Sequence, residues 1–127
     1  MRLAFFGTPE FAVPSLRALL EEGFEVAAVV TQPDRPQGRS RSQLVPPPVK
    51  QVALEEGLAV LQPDRPVGPF ADVLRSLDLD MGIVVAYGHV LKPEILAIPR
   101  LGMLNVHASL LPRLRGAAPI AWCPHHW

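Results

Sequence analysis

The sequence is short of the features that would place a protein in a membrane, outside the cell or on a dinucleotide. Its one cysteine, Cys123, cannot form an internal disulfide. No apolar run approaches the ~20 residues that a membrane-spanning helix needs. The start, MRLAFFGTPEF, holds a short apolar run rather than a basic stretch followed by a long apolar one, so it lacks the pattern of a secretory leader. The chain therefore reads as cytoplasmic. An excess of charge of one sign is missing too: twelve basic residues balance twelve acidic ones, and net charge names no nucleic-acid partner. Missing glycines exclude a further class. Gly7-Thr8-Pro9-Glu10 has one glycine where a dinucleotide fingerprint wants three spaced GxGxxG, and Thr31-Gln32 stand where its acidic residue would be. A nicotinamide-dependent oxidoreductase is rejected on that ground, and Gly7 is read as a tight turn.

What is present describes one globular domain. The chain has 127 residues, of which 49% are hydrophobic and 19% charged. Four apolar runs are continuous rather than alternating, at Leu3 to Phe6, Val26 to Val30, Leu58 to Leu61 and Met81 to Ala86. Runs of that kind suit strands buried on both faces, as in a parallel sheet. A fifth strand is expected at Gly102 to Val106. Helical spacing lies between the runs. Phe70, Val73, Leu74 and Leu77 recur at i, i+3, i+4 and i+7, which predicts one buried helix face. Leu16, Leu19 and Leu20 predict a helix that Pro14 opens and Gly23 closes, and Val49, Val52 and Ala53 predict another that ends at Gly57. Alternating strands and helices with right-handed crossovers give an α/β fold: an open, mainly parallel, Rossmann-like sheet with helices on both faces.

Of the fifteen prolines eight are clustered, as Pro33 and Pro36, then Pro46, Pro47 and Pro48, then Pro63, Pro66 and Pro69, and the first two clusters bracket Gln32 to Val45. Arg35, Arg39 and Arg41 stand there among Gly38, Ser40 and Ser42 without a packing pattern, which predicts a long exposed loop. By itself such a loop is a solvated surface, although three guanidinium groups also suit phosphate contacts.

In an open α/β sheet, ligands bind beyond the carboxyl ends of the strands. Asn105 and His107 end the fifth run. Two apart on an extended segment, their side chains face one volume while Val106 points into the core. A carboxamide can donate to an oxygen that is becoming negative, and an imidazole can donate or move a proton, so the pair suits acyl transfer. The same pair also suits a hydrogen-bonded loop support. Tyr87 and His89 follow the fourth run, and His89 reads as a loop residue because no carboxylate is near it in sequence.

The residues from Asn105 to Ile120, NVHASLLPRLRGAAPI, resemble the formyl-donor segment of methionyl-tRNA formyltransferases. FxGTPxFAVPxL from Phe5, TQPDRPxGR from Thr31 and VVAYG from Val84 are similar to the same family. The resemblance implies formyl transfer from 10-formyltetrahydrofolate to the α-amino group of methionyl-initiator tRNA, in translation initiation. It implies Asn105 and His107 as catalytic residues that work with an aspartate absent from this chain. It also implies tetrahydrofolate binding at Ser109, Leu110, Leu111 and Pro112, with folate contacts near Tyr87. Arg39, and with it Arg41, would contact tRNA. Neither a metal nor a protein partner is implied.

The resemblance covers residues 1–122, a partial catalytic domain. The tail Cys123-Pro124-His125-His126-Trp127 does not resemble the family, and its Cys and His residues are too close together for a structural zinc site. Pro119 should open a helix that Pro124 interrupts after about one turn. The family's later strands and carboxy-terminal barrel are not in this sequence. The fold is therefore expected to be incomplete at that end, with an unpaired last strand and uncovered apolar surface. A poorly stable chain, inactive or nearly so, is the resulting expectation. The alternatives are a non-catalytic folate- or tRNA-binding remnant and a formyltransferase acting on a small amine. The arginines at 35, 39 and 41 argue against the latter.

Overall fold

The computed structural model describes residues 1–36 and 43–106, together with the backbone of 37 and 120–122. In chain order the elements are β1 (Arg2–Gly7), a 3-10 turn (Glu10–Ala12), α1 (Val13–Glu21), β2 (Glu25–Val30), β3 (Arg35–Gln37) and β4 (Gln43–Val45). There follow α2 (Pro48–Glu55), β5 (Val60–Leu61), α3 (Pro69–Ser76), β6 (Met81–Val85), α4 (Pro93–Leu96), β7 (Met103–Val106) and β8 (Ile120–Trp122).

All five expected strands form, and they pair in parallel in the order β5-β2-β1-β6-β7. Chain order thus runs outward from β1 in one direction and then reverses, so the switch point lies between β1 and β6. Each continuous apolar run serves two cores. Ala4 and Phe6 of β1 join Val84, Tyr87, Met103 and the buried residues of α3 and α4 on one face. Leu3 and Phe5 join Ile83, Val85 and the buried residues of α1 and α2 on the other. Side chains alternate along a strand, so a run without polar residues is what burial on both faces requires. Each fully buried Phe or Leu contributes roughly 1.5–3 kcal/mol.

The helices end as their glycines predict. At α1 the N–H of Gly23 bonds to the Leu20 carbonyl and that of Phe24 to Leu19; at α2, Gly57 bonds to Leu54 and Leu58 to Ala53. Both are Schellman closures, with φ of +85° at Gly23 and +71° at Gly57. Asp78 takes the corresponding place after α3 at φ +53°, a strained position for a residue with a Cβ. The face of α3 differs from the expected one. Phe70, Ala71 and Leu74 are buried and Leu77 packs against them, but Val73 is 42% exposed. At 100° per residue, Val73 lies on the far flank of Leu77, away from the side that Ala71 occupies.

Three features depart from the sequence reading. The loop from Gln32 to Val45 contains a hairpin, in which Arg35, Pro36 and Gln37 pair antiparallel with Val45, Leu44 and Gln43. All three residues of β4 are exposed, so no hydrophobic pattern announces it. Helix α4, with Ile95 and Leu96 buried, is a four-residue segment too short for periodicity to reveal. At residues 120–122 the expected helix start is instead a strand, β8, which pairs antiparallel with β7. One turn of helix is too short to nucleate by itself, whereas β7 offers a ready row of backbone partners. The unpaired edge predicted for β7 is therefore occupied. Beside it, Ser15, Ala18 and Leu19 of α1 and Ile83, Leu104 and Val106 line an apolar cavity of about 260 Å³.

Candidate functional site

The carboxyl ends of β1, β2 and β6 meet at the switch point, and the close approach begins with Gly7. A Cβ on Gly7 would lie 2.8 Å from the Phe5 ring, 2.9 Å from the Val85 carbonyl oxygen and 3.0 Å from the Ala12 Cβ. Gly7 is the last residue of β1 rather than a tight turn, and its missing side chain is what close packing demands. After β6 the backbone turns sharply, with Ala86 at φ +54° and Gly88 at φ +98°. A non-glycine residue in that region stores strain and needs its surroundings to hold it.

What holds it is a knot of polar groups around the Tyr87 carbonyl. That oxygen accepts from Thr8 Oγ1 at 2.8 Å and from Gln32 Nε2 at 3.1 Å. Thr8 Oγ1 in turn accepts from the Gln32 backbone N–H at 3.3 Å. A Cβ on Gly88 would collide with the Gln32 amide nitrogen, so glycine there makes room for the bond. Thr31 and Gln32 are the only buried polar residues among those described. The Gln32 carboxamide oxygen accepts from the Arg35 guanidinium, which ties the base of the hairpin to the switch point.

A second layer supports the first. Gln62 Nε2, just past β5, donates to the Gln32 carbonyl at 3.0 Å and to Asp34 Oδ1 at 2.8 Å. Lys50 of α2 donates to both Asp34 oxygens, at 3.0 and 3.1 Å. The Gln62 amide and then the Lys50 ammonium hold the Asp34 carboxyl below its ordinary range, against a smaller opposing effect of burial. Sequence reasoning passed over Thr8, Gln32, Asp34, Lys50 and Gln62 as individuals. The signal available was positional: Thr8 and Gln32 each stand two residues past the end of an apolar run, where ligand-facing loops begin.

Tyr87 and His89, expected at the crevice edge, sit differently from one another. The Tyr87 ring is 1% exposed and packs edge-on against Phe6 at 5.5 Å and His89 at 5.2 Å. Burial pushes its phenol up to about 12. Its hydroxyl and His89 Nε2 are buried without a hydrogen-bond partner among the described residues. The carbonyl, not the ring, is what Tyr87 contributes to the knot.

Asn105 lies inside β7, opposite Val84 of β6 on one side and Ala121 of β8 on the other. Alternation along the strand puts it on the face of Met103, the α3 and α4 side, while Leu104 and Val106 pack toward α1 and α2. It is half-buried. Val84 is three residues before Tyr87, so the register carries Asn105 to the far side of the crevice from Thr8. His107, Ser109, Leu110, Leu111, Pro112, Arg39 and Arg41 lie outside the described residues, as do Cys123, His125 and His126. Among the described residues no cluster of three His, Cys, Asp or Glu could hold a metal, and no helix is long and apolar enough to cross a membrane.

The architecture is similar to that of solved structures. Phosphoribosylglycinamide formyltransferase from Bacillus halodurans matches 90% of this chain with 59% of its own, at TM-score 0.59 and 21% identity. Glycinamide ribonucleotide transformylase 1 from Symbiobacterium toebii matches 90% of this chain with 54% of its own, at TM-score 0.61 and 18% identity. Those identities speak for the fold alone. Sequence relatives are nearer. The methionyl-tRNA formyltransferase of Geobacter sulfurreducens is 56% identical over 97% of this chain, and that of Moorella thermoacetica 58% identical over 94%. The chain spans about 39% of the length of either relative. A family model described as formyl transferase matches residues 1–126, and with the parallel sheet and its switch-point crevice in place, the chain belongs to the formyl transferase family.

Proposed function

We propose that this chain supplies the amino-terminal part of a methionyl-tRNA formyltransferase, which moves a formyl group from 10-formyltetrahydrofolate to the α-amino group of methionyl-initiator tRNA. The observation that carries the reading is the 53–58% identity to proteins of that name along nearly the whole chain. In the reaction the amine nitrogen attacks the formyl carbon and its carbonyl oxygen becomes negative. Collapse of the tetrahedral intermediate breaks the bond to folate N10, which takes a proton, and the new amide nitrogen loses one. Asn105 and His107 donate to the oxyanion, whose stabilisation in a pre-built site is a large catalytic term. Ser109 to Pro112 hold the folate, with Tyr87 bounding the site through its fixed loop. Arg39 and Arg41 contact tRNA phosphates, an interaction that weakens steeply with salt.

Because the relatives are more than twice as long, transfer is assigned to a polypeptide that includes their remaining length. The 127-residue chain is expected to form no formyl-methionyl-tRNA, and a chimera that joins residues 1–122 to the remainder of the Geobacter sulfurreducens relative is expected to form it. An inactive but folded chimera would count against the reading. Turnover by the 127-residue chain near that of the full-length relative would refute the assignment to the longer polypeptide.

A further inference from the structure

Next to the switch-point knot is a cavity of about 280 Å³ that the reaction as proposed leaves unused. It lies between the base of the hairpin and the start of α2, and Thr8 belongs to both cavity and knot. Pro33, Val45 and the consecutive Pro46 to Pro48 supply its apolar lining, and Arg35 and Gln51 supply polar groups.

The lining selects among occupants. A helix start normally presents free N–H groups that attract phosphate. Here Pro47 caps α2 and Pro48 begins it, so neither residue has an N–H to offer. An anion gains little from such a wall, whereas a flat ring can lie against the apolar faces of the prolines. The Arg35 guanidinium is a planar cation suited to stacking on a π system, and its bond to the Gln32 carboxamide oxygen limits its freedom before anything binds. Gln51 donates its Nε2 to the Pro46 carbonyl at 3.1 Å. Its carboxamide oxygen is left to accept, the role that an exocyclic amino group would satisfy. The volume falls just under the ~300–1,000 Å³ of sites that enclose drug-sized ligands, which suits one ring system rather than an entire folate.

We propose that this cavity is a nucleobase subsite that takes the amino-bearing terminal base of the RNA whose aminoacyl group is formylated. It rests on the reading of the substrate as an aminoacylated RNA end. A base seated here, beside Thr8, anchors the RNA terminus next to the crevice, so that the amine need only cross from the knot toward Asn105.

The test uses free nucleosides and the ¹⁵N-labelled chimera that carries residues 1–122, first checked for the dispersed amide spectrum of a folded protein. Titration with adenosine should move the amide resonances of Thr8, Val45 and Gln51 saturably, while L-methioninamide leaves them in place. Inosine, which lacks the amino group, should bind about fivefold more weakly, the size of one net hydrogen bond. Gln51→Leu, at an exposed residue, should abolish that preference. Absence of saturable adenosine shifts, equal binding of inosine, or saturation by methioninamide at these amides would each overturn the subsite. None of those results depends on formyl transfer, so the subsite and the catalytic reading can fail separately.

Discussion

The two sides of the switch-point crevice are built by different means. On the β1 and β2 side, the loops are joined through side chains: Thr8 and Gln32 grip one carbonyl, and Gln62, Lys50 and Asp34 brace Gln32 and the hairpin base. On the β7 side, Asn105 is placed by the backbone ladder to β6 and β8. A ladder fixes a side chain's position with little demand on its identity, so the ladder itself does not require an asparagine at 105. A polar knot does the reverse, because each of its members is required by the others. The difference teaches where substitution should damage the reaction and where it should damage the fold.

The sharpest division between the two sides is a change at Asn105. In the chimera, Asn105→Ala should lower kcat by about 10²–10³-fold, the usual loss of one oxyanion donor, with unfolding by urea nearly unchanged. A drop in stability with kcat intact would reverse the comparison. On the other side, Gly7→Ala should cost about 1–3 kcal/mol in denaturant unfolding, because the new methyl meets the Val85 backbone and the Ala12 Cβ. Gln32→Leu should cost about 1 kcal/mol, by removing the Nε2 donor from a Tyr87 carbonyl that keeps its bond from Thr8 and the acceptor from the Arg35 guanidinium.

Acid should act on the knot as well. The carboxyls of Asp34 and Asp80 are both held below their ordinary range, Asp34 chiefly by the Gln62 amide and Asp80 chiefly by the Arg2 backbone N–H. Their stabilisation is therefore complete above the unfolded-state pKa of about 3.9 and is lost as pH falls through the lower folded-state values. Asp34→Asn should flatten the acid limb of a stability profile, and Asp34→Asn with Asp80→Asn should flatten it further. An unchanged limb would detach Asp34 from the knot. The smallest effect belongs to Tyr87→Phe, which removes a buried hydroxyl that bonds to no described residue. Melting should show stability unchanged or raised by up to about 1 kcal/mol, and a loss of 2 kcal/mol or more would mean the hydroxyl has a structural partner.

Much of the scaffold was legible because its signals are local. Leu3 to Phe6 and Val26 to Val30 read as strands buried on both faces, and each does supply both cores. Gly23 and Gly57 read as helix stops, and each adopts the positive φ that the closure needs. The hairpin was not legible, since its Leu44 is 62% exposed and its paired residues follow no pattern. Val73 misled because a four-residue stripe does not say which of its flanks faces the sheet. Asn105 was singled out by its motif as a candidate and the structure gives its place in β7, but nothing local marked Gln32 as buried or Gly7 as a close-packing position.

The sequence by itself thus determined the parallel α/β class, the helix ends and the family to which the chain belongs. Each of these rests on a run, a spacing or a motif readable within a few residues. Only the tertiary structure decided the rest. Gln32 and the Tyr87 carbonyl are 55 residues apart in the chain, and Thr8 and Tyr87 are 79 apart. They meet because β1 lies between β2 and β6, an order set by how crossovers pack rather than by any residue at the contact. The same order placed Asn105 one strand farther out, across the crevice, with an antiparallel β8 on its outer side.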